Sequence, residues 1–334
     1  MQTTLSNLLT THTTVLADGA TGTNYFARGL TAGEPPEFWN SDHPYHVRSV
    51  HQRFVDAGAD LILTNSFGCT RQRLKLHNSQ HRVVELAERA AGIARYVADS
   101  ALRPVVVAGS VGPTGELFEP LGALTHDIAV ESFSEQIRGL IDGGVDVVWI
   151  ETMSAISEVR AAATAAIELG VPYVATCSFD TAGRTMMGLM PDALAGVFDG
   201  LPVPPVAMGA NCGVGAPDIV ATMIAMAAAP HPGVLVAKGN CGIPQFRGTE
   251  IVYSGSPEMM GRYAALAADA GAQIIGGCCG TTPVHLASMR RALDSRVAGA
   301  APSLDEIVAA LGPLTNSVAK VNTGESRERR RGRR

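Results

Sequence analysis

Short β-branched runs alternate along the chain with longer segments that have helical periodicity. Segments 46–59 and 81–99, for example, carry apolar residues at helical spacing and lie between apolar runs. The eight runs predicted as strands begin at Val15, Asp60, Val105, Asp146, Tyr173, Val206, Val234 and Gln273. Continuous apolar strands separated by crossover helices are typical of parallel sheets, and eight in series predict an α/β protein with a (β/α)8 TIM barrel. An open doubly wound sheet is the competing arrangement.

The pattern favours one barrel domain over residues 1–298. Residues 281–297 follow the eighth strand and supply a closing helix. We predict a terminal helical extension over residues 299–316 and a disordered basic tail over residues 317–334.

Charge is distributed unevenly along the chain. Residues 327–334, RERRRGRR, hold six of the 26 basic residues and one of the 31 acidic ones, which leaves a net charge of −10 in residues 1–326. Because phosphate contacts require clustered Lys and Arg, an acidic body argues against a nucleic-acid partner.

The N-terminus has no basic region followed by a long apolar run, so it does not resemble a secretory signal. Apolar runs such as MIAMAAA are too short to span a membrane, and no membrane partner is expected. We therefore expect the protein in the cytoplasm. In that reducing compartment its six cysteines are expected to be metal ligands, catalytic groups or core residues rather than disulfides.

The predicted strand ends are unusually polar. Barrel enzymes place their chemistry at the C-terminal ends of the strands, where all the following loops meet at one mouth. The polar residues at these ends are Asp18, Asn65, Ser110, Glu151, Ser178, Asn211, Cys212, Asn240, Cys241, Cys278 and Cys279.

Three of these cysteines are candidate zinc ligands. Cys212 follows the sixth strand, and Cys278 and Cys279 follow the eighth, between glycines that permit the chain to turn. Three thiolates suit Zn²⁺, and three protein ligands leave an open position for a substrate. Whether Cys241 adds a fourth ligand is left open.

Thiolate ligands reduce the Lewis acidity of zinc towards water, so such a site suits a thiol substrate better than hydrolysis. A thiol that enters the open position loses its proton and becomes a nucleophile near neutral pH. The predicted reaction is alkylation of a substrate thiol.

Three motifs in this order resemble the homocysteine S-methyltransferase family. They are DGATGT at residues 18–23, GANC at residues 209–212 and GGCCG at residues 276–280. The resemblance covers roughly residues 10–295. It implies a (β/α)8 barrel, zinc held by Cys212, Cys278 and Cys279, and methyl transfer to homocysteine to give methionine.

The resemblance also implies a homocysteine site. Backbone N–H groups of the turn would hold the substrate carboxylate, since consecutive amides form an anion-binding nest. Asp18 and Glu151 would take the ammonium group, and Asn65 is placed among the substrate-binding residues. The turn consists of Gly19, Ala20, Thr21, Gly22 and Thr23.

The resemblance identifies the methyl donor less closely than it identifies the methyl acceptor. The first half of the chain is most similar to bacterial betaine–homocysteine methyltransferases, which favours glycine betaine or a related onium compound. Such a cation would need aromatic faces, for which Tyr25, Trp39 and Phe67 are the candidates. The alternative is that the chain is the homocysteine-activating module of a corrinoid methionine synthase, with a separate corrinoid protein as partner.

Two other classes of function are left open. A Schiff-base lyase would use Lys238 at the end of the seventh strand. A zinc scaffold or redox sensor would be favoured if Cys241 completed the metal site. The sequence does not decide whether the chain forms a homo-oligomer.

Overall fold

A computed structural model describes residues 3–247 and 250–315, and it describes only the backbone of residues 244–247 and 250–251. The predicted tail at 317–334 lies outside the described residues, as does residue 316 of the predicted extension. No helix in the described ranges is long and apolar enough to cross a bilayer.

Eight parallel strands begin within two residues of the predicted positions. They are β1 (Val15–Leu16), β2 (Leu61–Leu63), β3 (Val106–Val111), β4 (Val147–Met153), β5 (Tyr173–Cys177), β6 (Ala207–Cys212), β7 (Val234–Gly239) and β10 (Ala272–Gly277). Two further strands, β8 (Pro244–Arg247) and β9 (Glu250–Tyr253), form an antiparallel hairpin after β7. No strand was predicted over residues 244–253, so this hairpin is a new feature.

The eight parallel strands form a closed barrel. Their order is β1-β10-β7-β6-β5-β4-β3-β2. The ring is completed between β1 and β2, where Ala17 forms a parallel bridge with Leu61 and the Asp18 N–H donates to the Leu61 carbonyl at 3.0 Å. The predicted (β/α)8 barrel is confirmed, and the open doubly wound sheet is wrong.

Helices surround the barrel. They are α1 (Leu5–Thr11), α2 (Thr21–Phe26), α3 (Trp39–Asp42), α4 (Pro44–Asp56), α5 (Arg71–Lys75), α6 (Val83–Ser100), α7 (His126–Asp142), α8 (Ile156–Glu168), α9 (Ala216–Ala228), α10 (Pro257–Asp269), α11 (Pro283–Asp294) and α12 (Leu304–Leu311). Short 3-10 helices cover Pro36–Phe38, Gln80–Arg82, Pro191–Ala193 and Ala195–Phe198. The connection from β5 to β6 therefore contains 3-10 turns where a regular barrel has an α-helix. The predicted short C-terminal helix corresponds to α12.

The apolar core has two layers because strand side chains point alternately inward and outward. The inner cluster fills the barrel, with Trp149 as its largest member, and includes Leu5 and Leu8 of α1. The outer cluster packs the other strand face against the helices, where alanines of α6 and α8 allow close approach. This packing leaves the C-terminal strand ends for polar groups.

Candidate metal and substrate site

The Sγ atoms of Cys212, Cys278 and Cys279 all lie within 4.8 Å of one another. The sheet register explains why they meet. Gly239 at the end of β7 is paired with Cys212 of β6 on one side and with Gly277 of β10 on the other. Cysteines that are 66 positions or more apart in the sequence are thus brought to the same part of the barrel mouth.

The backbone turns sharply at both cysteine positions. Cys212 has φ +61°, a left-handed conformation that is unfavourable for a non-glycine residue, and Gly280 has φ +80°. The Cys278 N–H donates to the Gly239 carbonyl at 2.7 Å, and the Cys279 N–H donates to Asn240 Oδ1 at 3.0 Å. These bonds fix two consecutive cysteines in a turn, so both side chains reach the same point.

The cluster fits a zinc ion. Tetrahedral ligation with Zn–S bonds of about 2.3 Å separates the sulfurs by about 3.8 Å, within the observed spread. Soft sulfur ligands and the absence of any carboxylate in the cluster favour zinc over Mg²⁺ or Ca²⁺. In this arrangement the adjacent thiols of Cys212 and Cys278 lower the pKa of Cys279.

Two neighbours of the cluster have different roles. Tyr253, at the end of the β8–β9 hairpin, lies beside Cys279, and burial raises the pKa of the Tyr253 hydroxyl. Cys241, by contrast, is buried and its thiol donates to the Gly255 carbonyl at 3.3 Å. Cys241 lies outside the three-cysteine cluster. The open question of a fourth cysteine ligand is thus answered by geometry.

Asn211 links the cluster to the neighbouring strands. Its Oδ1 accepts from the Thr152 N–H at 2.8 Å and from the Thr176 hydroxyl at 2.7 Å, and its Nδ2 donates to Thr152 Oγ1 at 2.7 Å. The same Nδ2 lies 3.9 Å from Cys278 Sγ. Thr152 has φ +61°, which is strained for a β-branched residue. Three strands are thus held in register beside the thiols.

A cavity of about 480 Å³ adjoins the cysteines. Its inner part is lined by Ser110, Glu151, Thr152 and Lys238 together with the three thiols. The predicted turn, Gly19, Ala20, Thr21, Gly22 and Thr23, lines another wall. Because α2 begins at Thr21, the first N–H groups of this helix have no acceptor within the helix.

At the floor of this cavity a buried lysine is paired with a buried aspartate. Lys238 Nζ lies 2.8 Å from Asp18 Oδ1, and Asp18 Oδ2 accepts from the Leu63 N–H at 2.8 Å. Burial lowers the pKa of Lys238, but the carboxylates of Asp18 and Glu151 outweigh this effect and raise it. Asp18 is fully buried and is not part of the cavity lining.

Glu151 is the carboxyl group that faces the cavity. Its Oε1 accepts from the Ser110 hydroxyl at 2.5 Å. Burial raises the pKa of Glu151 to about 7, although the ammonium of Lys238 opposes the shift. A carboxyl group in this state is ready to ionise when a cationic group enters beside it.

Asn65 lines the cavity, but both N–H bonds of its side-chain amide are already used. Its Nδ2 donates to the Pro36 carbonyl at 2.7 Å and to Asn40 Oδ1 at 2.9 Å. Asn65 therefore positions the segment around residues 36–40 at the cavity wall.

The structure separates the three predicted donor residues. Phe67 lines the cavity, and its ring lies against Gly112 at the end of β3. Tyr25 and Trp39 are buried behind the wall, with ring centroids 5.4 Å apart, and Trp39 Nε1 donates to Glu34 at 3.0 Å. The two rings face each other in the core, so they do not form one aromatic box with Phe67.

Two charged residues at the outer part of the cavity were missed in the sequence. Glu37 is buried, and its Oε1 accepts from the Gly68 N–H at 2.6 Å. Burial raises the pKa of Glu37, and nearby Arg73 and His77 oppose this shift. Glu37 and Arg73 both line the cavity. Glu37 reaches it from the 3-10 helix Pro36–Phe38, and Arg73 reaches it from the short helix α5.

A closed (β/α)8 barrel with three thiols at its mouth and a polar cavity beside them defines a candidate metal-dependent enzyme site. Comparison with known sequences specifies the family. The sequence model described as homocysteine S-methyltransferase matches residues 15–293. The chain belongs to this family of methyltransferases.

Similar proteins include methionine synthases from Mycobacterium leprae (strain TN) and Mycobacterium tuberculosis (strain ATCC 25618 / H37Rv). Each is 29% identical over 295 residues, which is 84% of this chain and 24% of the relative. The chain thus spans about a quarter of the length of these relatives.

The fold is similar to that of the homocysteine methyltransferase MmuM from Escherichia coli. The metallated form has a TM-score of 0.72 and 23% identity over 86% of this chain and 99% of that chain. The oxidised form has a TM-score of 0.71 at the same identity, over 86% and 98%. At this identity the similarity establishes the fold.

Proposed function

We propose that this protein transfers a methyl group to the thiol of homocysteine, giving methionine. The observation that carries the proposal is the three-cysteine cluster at the edge of a cavity that also contains Glu151. Membership of the homocysteine S-methyltransferase family supports the same reaction.

Zinc is the proposed cofactor, with Cys212, Cys278 and Cys279 as its ligands. When bound, it supplies a site at which the substrate thiol loses its proton near neutral pH. The three thiols and the hydrogen bonds to their backbone determine where the homocysteine sulfur would lie.

Homocysteine would lie with its thiol at the three cysteines and its two charged groups at other parts of the cavity wall. We assign its carboxylate to the N–H groups of the turn at residues 19–23 and its ammonium to Glu151. Asp18 is satisfied by Lys238 and Leu63, so its contribution would be to hold Lys238 and the cavity floor. Asn65 would hold the wall around residues 36–40.

The reaction is a single displacement. A lone pair of the homocysteine sulfur forms a bond to the methyl carbon as the bond from that carbon to the donor heteroatom breaks, and the donor leaves with the electron pair. The protein would contribute mainly by aligning three atoms, since positioning two bound reactants removes several kcal/mol from a barrier.

An onium compound is the donor class that we propose. Phe67 offers an aromatic face to a cation, and the buried carboxylate of Glu37 offers an opposite charge next to it. Tyr25 and Trp39 would support this wall from behind. Glycine betaine and dimethylsulfonium compounds are the members of the class to test.

A second candidate is the homocysteine-activating module of a corrinoid system. The similarity to a quarter of two methionine synthases favours it, because those proteins contain much additional chain. In this case a separate corrinoid protein would be the partner and would bring the methyl group to the same thiol.

The Schiff-base alternative lacks support from the site. A lysine nucleophile must be neutral, whereas the ion pair with Asp18 keeps Lys238 protonated. Free thiols at the metal site suit a reducing location, which is why we propose the cytoplasm. Formation of a homo-oligomer is a separate proposal, and no surface of the described residues supports it.

The function is tested with purified, zinc-loaded protein and homocysteine. Glycine betaine, dimethylsulfoniopropionate, S-methylmethionine and methylcobalamin are supplied in separate reactions, and methionine is quantified. Turnover with an onium donor supports a self-sufficient enzyme. Turnover with methylcobalamin alone supports the corrinoid module, and no methionine from any donor refutes the proposed activity.

A further inference from the structure

The position of the thiols determines how a donor must enter the cavity. Its reactive methyl group has to point towards Cys212, Cys278 and Cys279, so the rest of the molecule must extend towards the rim. The rim of the cavity is lined by Phe26, Glu34, Arg73, Leu76 and His77. Whatever these residues recognise is the end of the donor that does not react.

We propose that Arg73 binds a carboxylate at the non-reacting end of the methyl donor, which makes the outer cavity a site for zwitterions. This inference rests on the proposed onium donor. It adds that the protein selects onium compounds that carry a carboxylate over those that do not.

Among the described residues that line the cavity, the basic side chains are Lys238, His77 and Arg73, and the first two are engaged elsewhere. Lys238 is buried at the floor against Asp18. The ring of His77 packs on Phe38 with centroids 6.0 Å apart. Arg73 is exposed at the rim, and among the residues that the structure describes it forms no ion pair closer than 4.0 Å. Its planar guanidinium is well suited to a carboxylate, which it can bind through two parallel hydrogen bonds.

The arrangement of opposite charges matches a zwitterion. Glu37 is buried next to Gly68 and Phe67, and Arg73 is near enough to influence the pKa of Glu37. A donor with its onium group near Glu37 and Phe67 and its carboxylate near Arg73 would place both charges beside opposite ones. A cation without a carboxylate would leave the guanidinium unpaired.

Two pairs of donors separate the carboxylate from the reactive group. Dimethylsulfoniopropionate is compared with trimethylsulfonium, and glycine betaine with tetramethylammonium. Within each pair the methyl group leaves from the same element, so a difference reports on the rest of the donor. Initial rates of methionine formation give KM and kcat for each donor at saturating homocysteine.

The variant is Arg73→Gln, which keeps a polar side chain but removes the charge. Arg71→Gln is the matched control, because Arg71 lies on the same short helix and instead pairs with Glu135 at 2.9 Å on the surface. We expect Arg73→Gln to raise KM for the zwitterionic donor by about tenfold, with little change for the simple cation. KM for homocysteine should be unchanged in both variants.

The outcomes are distinct. An equal change in KM for both members of a pair, or no change for either, would overturn the role of Arg73 while leaving methyl transfer intact. If the unaltered protein uses methylcobalamin and no onium compound, the onium donor and the zwitterion site both fail, but homocysteine activation stands. Restoration of a low KM by Arg73→Lys would support a charge contact, whereas continued loss would support the bidentate geometry.

Discussion

Lys238 Nζ and Asp18 Oδ1 lie 2.8 Å apart at the floor of the cavity, and both side chains are buried. The two residues are 220 positions apart. Asp18 also accepts a hydrogen bond from Leu63, so one carboxylate connects β2 and β7 just beyond the end of β1. The ion pair therefore stabilises two charged groups in the protein interior, next to the cavity.

Removing one partner should be costly. Lys238→Met would leave the Asp18 carboxylate buried without its counter-ion, and we expect a loss of about 3 kcal/mol in the free energy of unfolding. Asp18→Asn should also destabilise the fold. The double variant should lose less than the sum of the two, which urea denaturation of all four proteins measures.

The surface pair of Arg71 and Glu135 is the control for that cycle. Its side chains are 55% and 21% exposed, so Arg71→Gln should cost less than about 1 kcal/mol. Additive losses for Lys238→Met and Asp18→Asn would show that the two buried charges do not depend on each other.

Zinc retention should depend on three cysteines and be independent of a fourth. Cys279→Ser should lose zinc and methyl transfer together while the far-UV circular dichroism of the barrel is kept. Cys241→Ser should retain zinc, because the Cys241 thiol is directed to the Gly255 carbonyl. Metal content by plasma mass spectrometry checks both variants, and full zinc retention in Cys279→Ser would refute the proposed ligand set.

Glu151 should make substrate affinity dependent on pH. The free protein has Glu151 with a pKa of about 7, and only the ionised form can pair with an ammonium group. The affinity for a ligand with an ammonium group is therefore highest above pH 7 and decreases as the pH falls below 7. We expect the dissociation constant to rise about tenfold between pH 8 and pH 6.

L-methionine is the appropriate ligand for this measurement. It has the ammonium and carboxylate of homocysteine but no thiol, so deprotonation of sulfur does not contribute to the pH dependence. Calorimetric titration at several pH values gives the curve. Glu151→Gln should bind weakly at every pH, and a pH dependence retained in that variant would exclude Glu151 as its source.

His51 should make the fold sensitive to acid. It is buried in α4, and neither ring nitrogen has a hydrogen-bond partner in the described structure. Burial lowers the pKa of His51 to about 4. Below pH 6.5 the unfolded chain binds a proton that the folded chain does not, so stability falls from pH 6.5 towards pH 4.

The expected loss from this group is about 2 kcal/mol between pH 7 and pH 5. His51→Leu should remove that part of the pH dependence, as judged by denaturant unfolding at the two pH values. His126→Gln, at an exposed position, should leave the dependence unchanged. An identical pH dependence in His51→Leu and the unaltered protein would exclude the mechanism.

The predictions from sequence succeeded where a local pattern is sufficient. Each parallel strand is a continuous apolar run, because both of its faces are buried. Its position can therefore be predicted without knowing which strands lie beside it. The hairpin of β8 and β9 was missed because its pairing depends on two short runs without a strong alternating pattern. The residues predicted for the homocysteine and donor sites stay predictions, and the structure shows which of them reach the cavity.

Trp39 and Arg73 illustrate which features of the cavity wall the sequence does not predict. The aromatic residue was selected by type, yet its ring packs against Tyr25 behind the wall. The arginine was not selected, because nothing in its sequence neighbourhood distinguishes a rim residue from an exposed helical one. Which side of a short helix faces a cavity depends on the packing of distant segments.

The sequence by itself determined the barrel, the family motifs and the cysteines of the candidate metal site, because repeated apolar runs and residue chemistry are local properties. Tertiary structure alone decided that Cys241 points away from the cluster, that Lys238 neutralises Asp18, and that Glu151 faces the cavity. These three facts concern the directions of side chains from different strands. Directions are set by sheet register and burial, which arise only when the ring of strands closes.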